Sequence, residues 1–268
     1  MILTGLSKVV DVSVSTMIYL NFAPSVAIER ILSRGYRAVE LSYDNLLYGK
    51  YDEPAELLEV AEAVSKYSVR YFSVHLPYDN IGGTESSLAT TLGRISRWVK
   101  ALDRVSVGHY VAHLPRLPHT KESLALATKF LSGLLGIIGD SYVAIENTPT
   151  TSLLGAYPED IFKIIEEVAS ENVVACVDVG HANISRVALR RFHEILGSRV
   201  VSVHIHDNDG LEDKHMMPGS GSLNLDELSE FIALSRPRVA VFEVACKEHR
   251  RCDQALTYIR RIAPRILP

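Results

Sequence analysis

The chain has 268 residues, 47% of them apolar and 22% charged, and a net charge of −4. That length suits one large α/β barrel or two small domains and is ample for a buried core, since chains of this size bury roughly 75% of their unfolded surface. The acidic balance gives no sign of a nucleic-acid or anionic-membrane partner, and no apolar run approaches the roughly 20 residues that span a bilayer.

The opening MILTGLSKVVDVSVST lacks a basic start, an apolar stretch and a cleavage site, so a cytoplasmic location is expected. Short β-branched runs then predict strands at 11–17, 36–42, 69–75, 108–113, 141–146, 172–178, 199–206 and 238–244. Between them lie segments of helical period: PSVAIERILSRG, EPAELLEVAEAVSKY, LATTLGRISRWVKALDRV, KESLALATKFLSGLLGII and PEDIFKIIEEVAS. Pro24, Pro54 and Pro158 fall in first helical turns, where a missing N–H costs nothing. Gly35 stands where a left-handed cap ends the first helix. No linker or compositional break interrupts the alternation, which predicts one domain over 1–268, an α/β fold closed as a (β/α)₈ TIM barrel. An open doubly wound sheet would want a glycine-rich phosphate turn after the first strand, and STMIYLNFAPS provides none.

Cys176, Cys246 and Cys252 are odd in number and lack CxxC spacing, so buried thiols are expected rather than a disulfide or a zinc ribbon. The arginines at 250, 251, 260, 261 and 265 read as a solvated helix face, with a docking surface as the alternative.

Potential metal ligands fall where the strands end. Glu40, His75, His113, Glu146, Asp178, His204 and Glu243 are spaced by about one strand–helix unit each. In a parallel barrel those ends meet on one face, where barrel active sites sit. Strand parity points them inward: in SYVAIEN, Ala144 shares a face with Glu146, and in VSVHIH, Ser202, His204 and His206 share another. A lone inward histidine is usually a hydrogen-bonded core group, and His109 reads that way. Several inward carboxylates clustered with histidines are hard to keep charged without a cation. Asp178-Val-Gly-His181 adds an imidazole beyond the sixth strand. HIHDNDGLEDKHMMPGSGSLNL adds His206, Asp213, Lys214 and His215 on a loop that can fold over the site. Its glycines are expected to let backbone approach a substrate. Asp207 and Asp209 read as loop-shaping. His119, His193 and His249 lack such context.

SVHLPY, AIENTP, CVDVGHAN, HIHDNDGLEDKH–PGSG and VFEV together resemble the xylose-isomerase-like barrel superfamily, which groups sugar isomerases and epimerases with endonuclease IV. Resemblance to the epimerase branch implies a divalent metal (Mn, Zn, Co or Mg) on Glu146, Asp178, His204 and Glu243. The two glutamates would also serve as acid and base on a sugar or sugar phosphate, through an enediolate. His75, His113, His181, Asp213 and His215 would be additional metal or substrate ligands. His181, His206, Lys214, Glu40 and Tyr78 would be substrate contacts. Resemblance to endonuclease IV implies instead three zinc ions on nine ligands, all with chemical counterparts here, and Tyr78 near DNA. Against it stand His204-Ile-His-Asp-Asn-Asp in place of a lysine-bearing strand end, a shorter loop to Asp213, and the absence of a basic excess. A sugar substrate is therefore expected, with nucleic acid as the lesser alternative, no membrane partner, and room for a homo-oligomer. A non-catalytic sugar- or metal-binding barrel is the third reading, and it would need no paired glutamates.

Overall fold

The computed structural model describes residues 10–49, 51–79 and 81–267. Eight strands close in chain order: β1 (Asp11–Ser15), β2 (Ala38–Leu41), β3 (Tyr71–His75), β4 (His109–Ala112), β5 (Tyr142–Glu146), β6 (Val173–Asp178), β7 (Val200–Ile205) and β8 (Val239–Phe242). Every neighbouring pair is parallel, and β1 pairs with β8 to shut the cylinder. Around it run α1 (Pro24–Ser33), α2 (Asp44–Tyr48), α3 (Glu53–Ser65), α4 (Glu85–Ala101), α5 (Lys121–Ile138), α6 (Pro158–Val168), α7 (Val179–Ser185), α8 (Leu189–Leu196), α9 (Leu225–Ser235) and α10 (His249–Ile266). The (β/α)₈ barrel expected from the alternation is present.

Alternation along each strand divides the molecule into two cores. Outward residues such as Val74, Val143, Ile145, Val203 and Ile205 pack with Trp98, Phe130, Phe192 and Phe231 of the helices in one continuous apolar layer. Inward residues form small separate clusters: Ala38, Tyr71, Val239 and Val241, and Val111, Ala144, Val174 and Cys176. Each fully buried large apolar side chain contributes about 1.5–3 kcal/mol relative to exposure. The continuous outer layer therefore carries most of the hydrophobic stabilisation and leaves the interior free to hold polar groups.

Helix ends follow local chemistry. Pro24 and Pro158 open α1 and α6, Asp52 caps α3 through the Ala55 N–H at 3.0 Å, and Gly35 takes φ +84° after α1. Strands stop sooner than the β-branched runs suggest. β1 gives way at Thr16 to a 3₁₀ turn, where the Ser15 hydroxyl accepts the Met17 N–H at 3.4 Å. β4 and β8 end one residue before His113 and Glu243, so both side chains stand on the rim. The five arginines of α10 are all exposed. No helix among the described residues is long and apolar enough to cross a membrane.

The cysteine expectation needs correction. Cys246 and Cys252, six residues apart, are disulfide-bonded, with Cα atoms 5.5 Å apart; Cys176 is free and buried. Spacing alone did not show it, because the turn into α10 folds the chain back within bonding range. The bond ties the segment after β8 to the start of α10. Closing so short a loop stabilises the fold by about 2 kcal/mol on chain-entropy grounds. In denaturant without reductant, a thiol reagent should therefore count one thiol per chain, and three after reduction, with a lower melting midpoint for the reduced protein. Three thiols before reduction would remove the bridge.

Candidate active site

Glu146, at the end of β5 and 2% exposed, is the hub of the mouth. Its Oε2 lies 3.0 Å from His75 Nε2 and 2.9 Å from His113 Nε2, and its Oε1 lies 3.2 Å from His204 Nδ1. The same His204 Nδ1 is 3.2 Å from Glu243 Oε2. Ligand atoms of Glu146, Asp178, His204 and Glu243 all fall within 4.8 Å of one another, in four fully buried residues. A second group, Asp178, His181 and His206, adjoins a third, His206, Asp213 and His215.

Most of these imidazoles are aimed by the main chain. His75 donates Nδ1–H to the Leu76 carbonyl at 3.2 Å, His181 to that of Asn147 at 2.8 Å, and His215 to that of Glu243 at 2.9 Å. Each bond leaves Nε2 facing the centre, the arrangement by which a neighbouring acceptor fixes a metal-binding tautomer. His204 is turned the other way. Its Nε2 faces Glu40 Oε1 at 3.3 Å, so Nδ1 is left to the glutamates.

Electrostatics match this packing. Burial alone would raise the Glu146 carboxyl, but the His113 and His204 imidazoles hold it well below the usual carboxylate range. Burial likewise opposes charging of His75 and His215, yet Glu146 lifts the first and Asp213 the second to about 9. His181 and His204 stand well above the ordinary histidine value against the same desolvation, held there chiefly by the Asp178 carboxylate for His181 and by the Glu243 and Glu40 carboxylates for His204. Cys176, beneath them, keeps its proton, since burial pushes its thiol up to about 12.

The residues suit a divalent cation. Three carboxylates and an imidazole converge, and Glu243 Oε1 is buried with no hydrogen-bond partner among the described residues. Such a donor set, without sulfur, takes Mn²⁺, Mg²⁺, Co²⁺ or Zn²⁺.

The mouth encloses about 710 Å³ open to solvent, lined by Tyr78, His75, His113, Glu146, His181, Asp213, His215 and Glu243, together with Met17, Asp44, Arg116 and Thr148–Thr150. Tyr78 belongs there: its hydroxyl donates to Asp44 at 2.7 Å and its ring meets those of His75 and His113. Three expected substrate contacts do not. Glu40 is fully buried below His204, bonded to the Ser73 hydroxyl at 2.7 Å, because it lies mid-strand rather than at a strand end. His206 is also fully buried, 3.0 Å from Asp178 and stacked on His215 at 4.0 Å, behind the side chains that line the cavity. Lys214 is outside the cavity, paired with Asp209 and Glu212 of its own loop. His109 is buried against the Tyr71 hydroxyl at 2.8 Å, a core group as expected. His119 and His193 bond Asp160 and Ser235, and the His249 side chain lies outside the described residues.

Glycines after β7 serve a different end from substrate approach. Asp207, fully buried, accepts the N–H groups of Asn208, Gly219, Gly221 and Leu223 at 2.8, 2.8, 2.9 and 3.0 Å. A Cβ on Gly221 would stand 2.1 Å from the Asn208 carbonyl oxygen. The glycines thus let backbone wrap a carboxylate of the chain itself. Through paired backbone bonds to Met216 at 2.8 Å, Asp207 also sets the stretch that carries Asp213 and His215. Asn147 went unnoticed in the sequence, yet it clamps Asp178 by accepting its N–H at 2.7 Å and donating to its carbonyl at 3.0 Å. Its place beside Glu146 in AIENTP was the available cue.

With this geometry, the sequence matches the family described as xylose isomerase-like TIM barrel over residues 28–262. The chain belongs to that family. Protein MJ1311 of Methanocaldococcus jannaschii is 26% identical over 230 residues, 81% of this chain and 77% of that protein. Among solved structures, a D-tagatose 3-epimerase-like protein superposes with a TM-score of 0.77 at 22% identity, covering 96% of this chain and 98% of that one. The IOLI protein with a bound zinc atom gives 0.75 at 18% identity, over 96% and 97%. The 3-keto-D-glucoside 4-epimerase YcjR of E. coli gives 0.71 at 18%, over 94% and 99%.

Two measurements check the electrostatic and loop assignments. His75 and His215 have folded values near 9, above the unfolded value of about 6.5. Their protonated forms therefore stabilise metal-free protein fully below about pH 6.5, and that contribution is lost as pH rises through 9. Chelator-treated protein should melt at progressively lower temperature across that window, while divalent-metal affinity climbs because the cation no longer competes with protons. A flat metal-free profile would contradict it. Separately, Asp207→Ala removes four acceptor contacts and should cost at least the ~1.5–3 kcal/mol of one charged hydrogen bond. Amide exchange at Gly219, Gly221 and Leu223 should accelerate most; unchanged protection there would show that the loop holds its shape without the carboxylate.

Proposed function

We propose that the chain is a divalent-metal-dependent isomerase or epimerase of a sugar or sugar phosphate, acting by proton transfer through an enediolate. The observation that carries this reading is the glutamate pair. Glu146 and Glu243, from opposite parts of the ring, both stand 3.2 Å from His204 Nδ1 in one mouth. A cation on Glu146, Asp178, His204 and Glu243 would acidify the C–H between a chelated carbonyl and hydroxyl. One glutamate removes that proton and the other returns it, to the neighbouring carbon or to the opposite face. Glu146 is already a carboxylate across the neutral range, the form that a cation ligand or a base must take. Asp178 is held by Asn147 and His206, so it stays fixed while the glutamates exchange protons. The resemblance in fold to a D-tagatose 3-epimerase-like protein and to a 3-keto-D-glucoside 4-epimerase supports the sugar class.

One observation favours a second reading, a zinc-dependent phosphodiesterase acting on abasic-site DNA. The outer oxygen of Glu146 meets two further imidazoles, and His181, Asp213 and His215 supply a further group of donors. Three tightly held zinc ions together with incision of abasic-site DNA at nanomolar enzyme would select it; a single tight metal selects the isomerase.

Incubation in deuterated water with Mn²⁺, Co²⁺, Mg²⁺ or Zn²⁺ should place deuterium on a carbon of a converted ketose or aldose. Glu146→Gln and Glu243→Gln should each lose at least the roughly 10²–10⁴-fold typical of a missing general acid or base. Absence of both conversion and deuterium uptake across free and phosphorylated sugars would sink this function.

A further inference from the structure

We propose that Arg116 forms an anion-binding subsite beside the metal-ligand cluster, so that the preferred substrate is a sugar carrying a terminal anionic group, a phosphate ester or a carboxylate. For the reaction this rests on the isomerase reading; for binding it stands on the shape and charge of the mouth.

Beyond His113 the mouth continues into a narrow side recess, lined by Tyr78, Leu114, Pro115, Arg116, Thr148 and Leu154 among others. Charge is distributed unevenly between the two. Asp44, Asp213 and Glu243 line the main mouth, but none of them lines the recess. The one acid reaching the recess, Glu146, directs both oxygens at imidazoles. Among the described residues, Arg116 is the only lysine or arginine lining either space. Its side chain is exposed and has no hydrogen bond or ion pair to the described residues, so its five donors are free for a ligand.

The guanidinium is also presented on a stiff support. Arg116 stands between Pro115 and Pro118, whose rings fix φ. The Leu117 carbonyl accepts the Leu154 N–H at 2.8 Å, which stitches the two recess loops together, and the Thr148 N–H reaches the Gly155 carbonyl at 3.2 Å, which closes the second loop on itself. The Thr148 hydroxyl adds a neutral donor on the same wall. A guanidinium fork with a hydroxyl beside it matches a phosphate or carboxylate, and charge-assisted bonds of this kind are roughly twice as strong as neutral ones. A neutral sugar hydroxyl would use one donor and leave the rest to water. With its reacting carbons between Glu146 and Glu243, an extended substrate would place its far end in the recess.

Calorimetric titration of the Mn²⁺-loaded protein tests this with matched ligands: free ketoses and aldoses, their terminal phosphates, the corresponding uronates, and inorganic phosphate alone. An anionic member should bind at least about tenfold tighter than its neutral partner. Arg116→Met should shrink that preference to about twofold, and Arg116→Lys should restore part of it. Where turnover is seen, the loss should fall on KM for the anionic sugar. Equal binding of neutral and anionic ligands, or a preference that survives in Arg116→Met, overturns the subsite. So does tight, Arg116-dependent binding of abasic-site duplex DNA without binding of any sugar phosphate. Arg116-dependent binding without turnover leaves the subsite standing and overturns the isomerase reading. Turnover with no Arg116 dependence does the reverse.

Discussion

Burial of the Glu146 carboxylate is the constraint on which the rest of the site depends. An ionised carboxylate inside a protein costs several kcal/mol unless it is paired, hydrogen-bonded or bound to a cation. Among the described residues no lysine or arginine contacts it; imidazoles do, those of His75 and His113 at one oxygen and those of His204 and His181 at the other. Imidazoles are the partners whose charge can be given up near neutral pH, so the cluster can trade protons for a divalent cation without rebuilding its walls. A guanidinium in the same place would hold Glu146 permanently and leave it neither a good ligand nor a base.

That exchange requires the ring nitrogens to be aimed before a cation arrives. His75, His181 and His215 are each turned by one backbone carbonyl, and the Glu243 carbonyl turns His215 while its own side chain faces His204. His204, deepest of them, has no free carbonyl to use because its strand is fully laddered between β6 and β8. Glu40 Oε1, one layer lower, lies 3.3 Å from its Nε2, close enough to pair with a charged imidazole. Desolvation works against the charge on Glu40, but the imidazole above it holds the carboxyl down to about 2. The polar interior of the barrel is thus an extension of the site and not a filler.

What could be read in the sequence follows from how each residue is placed. Strand parity and unit spacing are periodic, so Glu146, Asp178, His204 and Glu243 on one mouth were legible from alternation alone. The family resemblance added the roles. Depth along a strand is not periodic, which is why Glu40 was expected at the rim and stands a layer beneath it. Loop partners are set by tertiary closure: Lys214 finds Asp209, Asp207 gathers four amides, and Cys246 meets Cys252 only once the chain turns into α10. Arg116 carried no pattern at all, and Asn147 only its place beside Glu146 in AIENTP. Their importance comes from neighbours contributed by other strands.

The donors divide by the stiffness of what carries them, and this division has a functional consequence. Glu146, Asp178 and His204 sit on strands laddered on both sides, and Glu243 stands one residue past such a strand. Asp213 and His215 sit on a loop whose shape is borrowed from the Asp207 carboxylate, and Asp213 keeps about a third of its side chain exposed. Reacting groups must be held to a fraction of an ångström, whereas groups that admit and enclose a substrate must move. On the proposed reading, the strands hold the reacting groups, and the loops after β4, β5 and β7 would set which molecule reaches them. Substitutions among Arg116, Thr148 and Asp213 should alter substrate preference while leaving the inner ligand set in place, because no strand hydrogen bond depends on them.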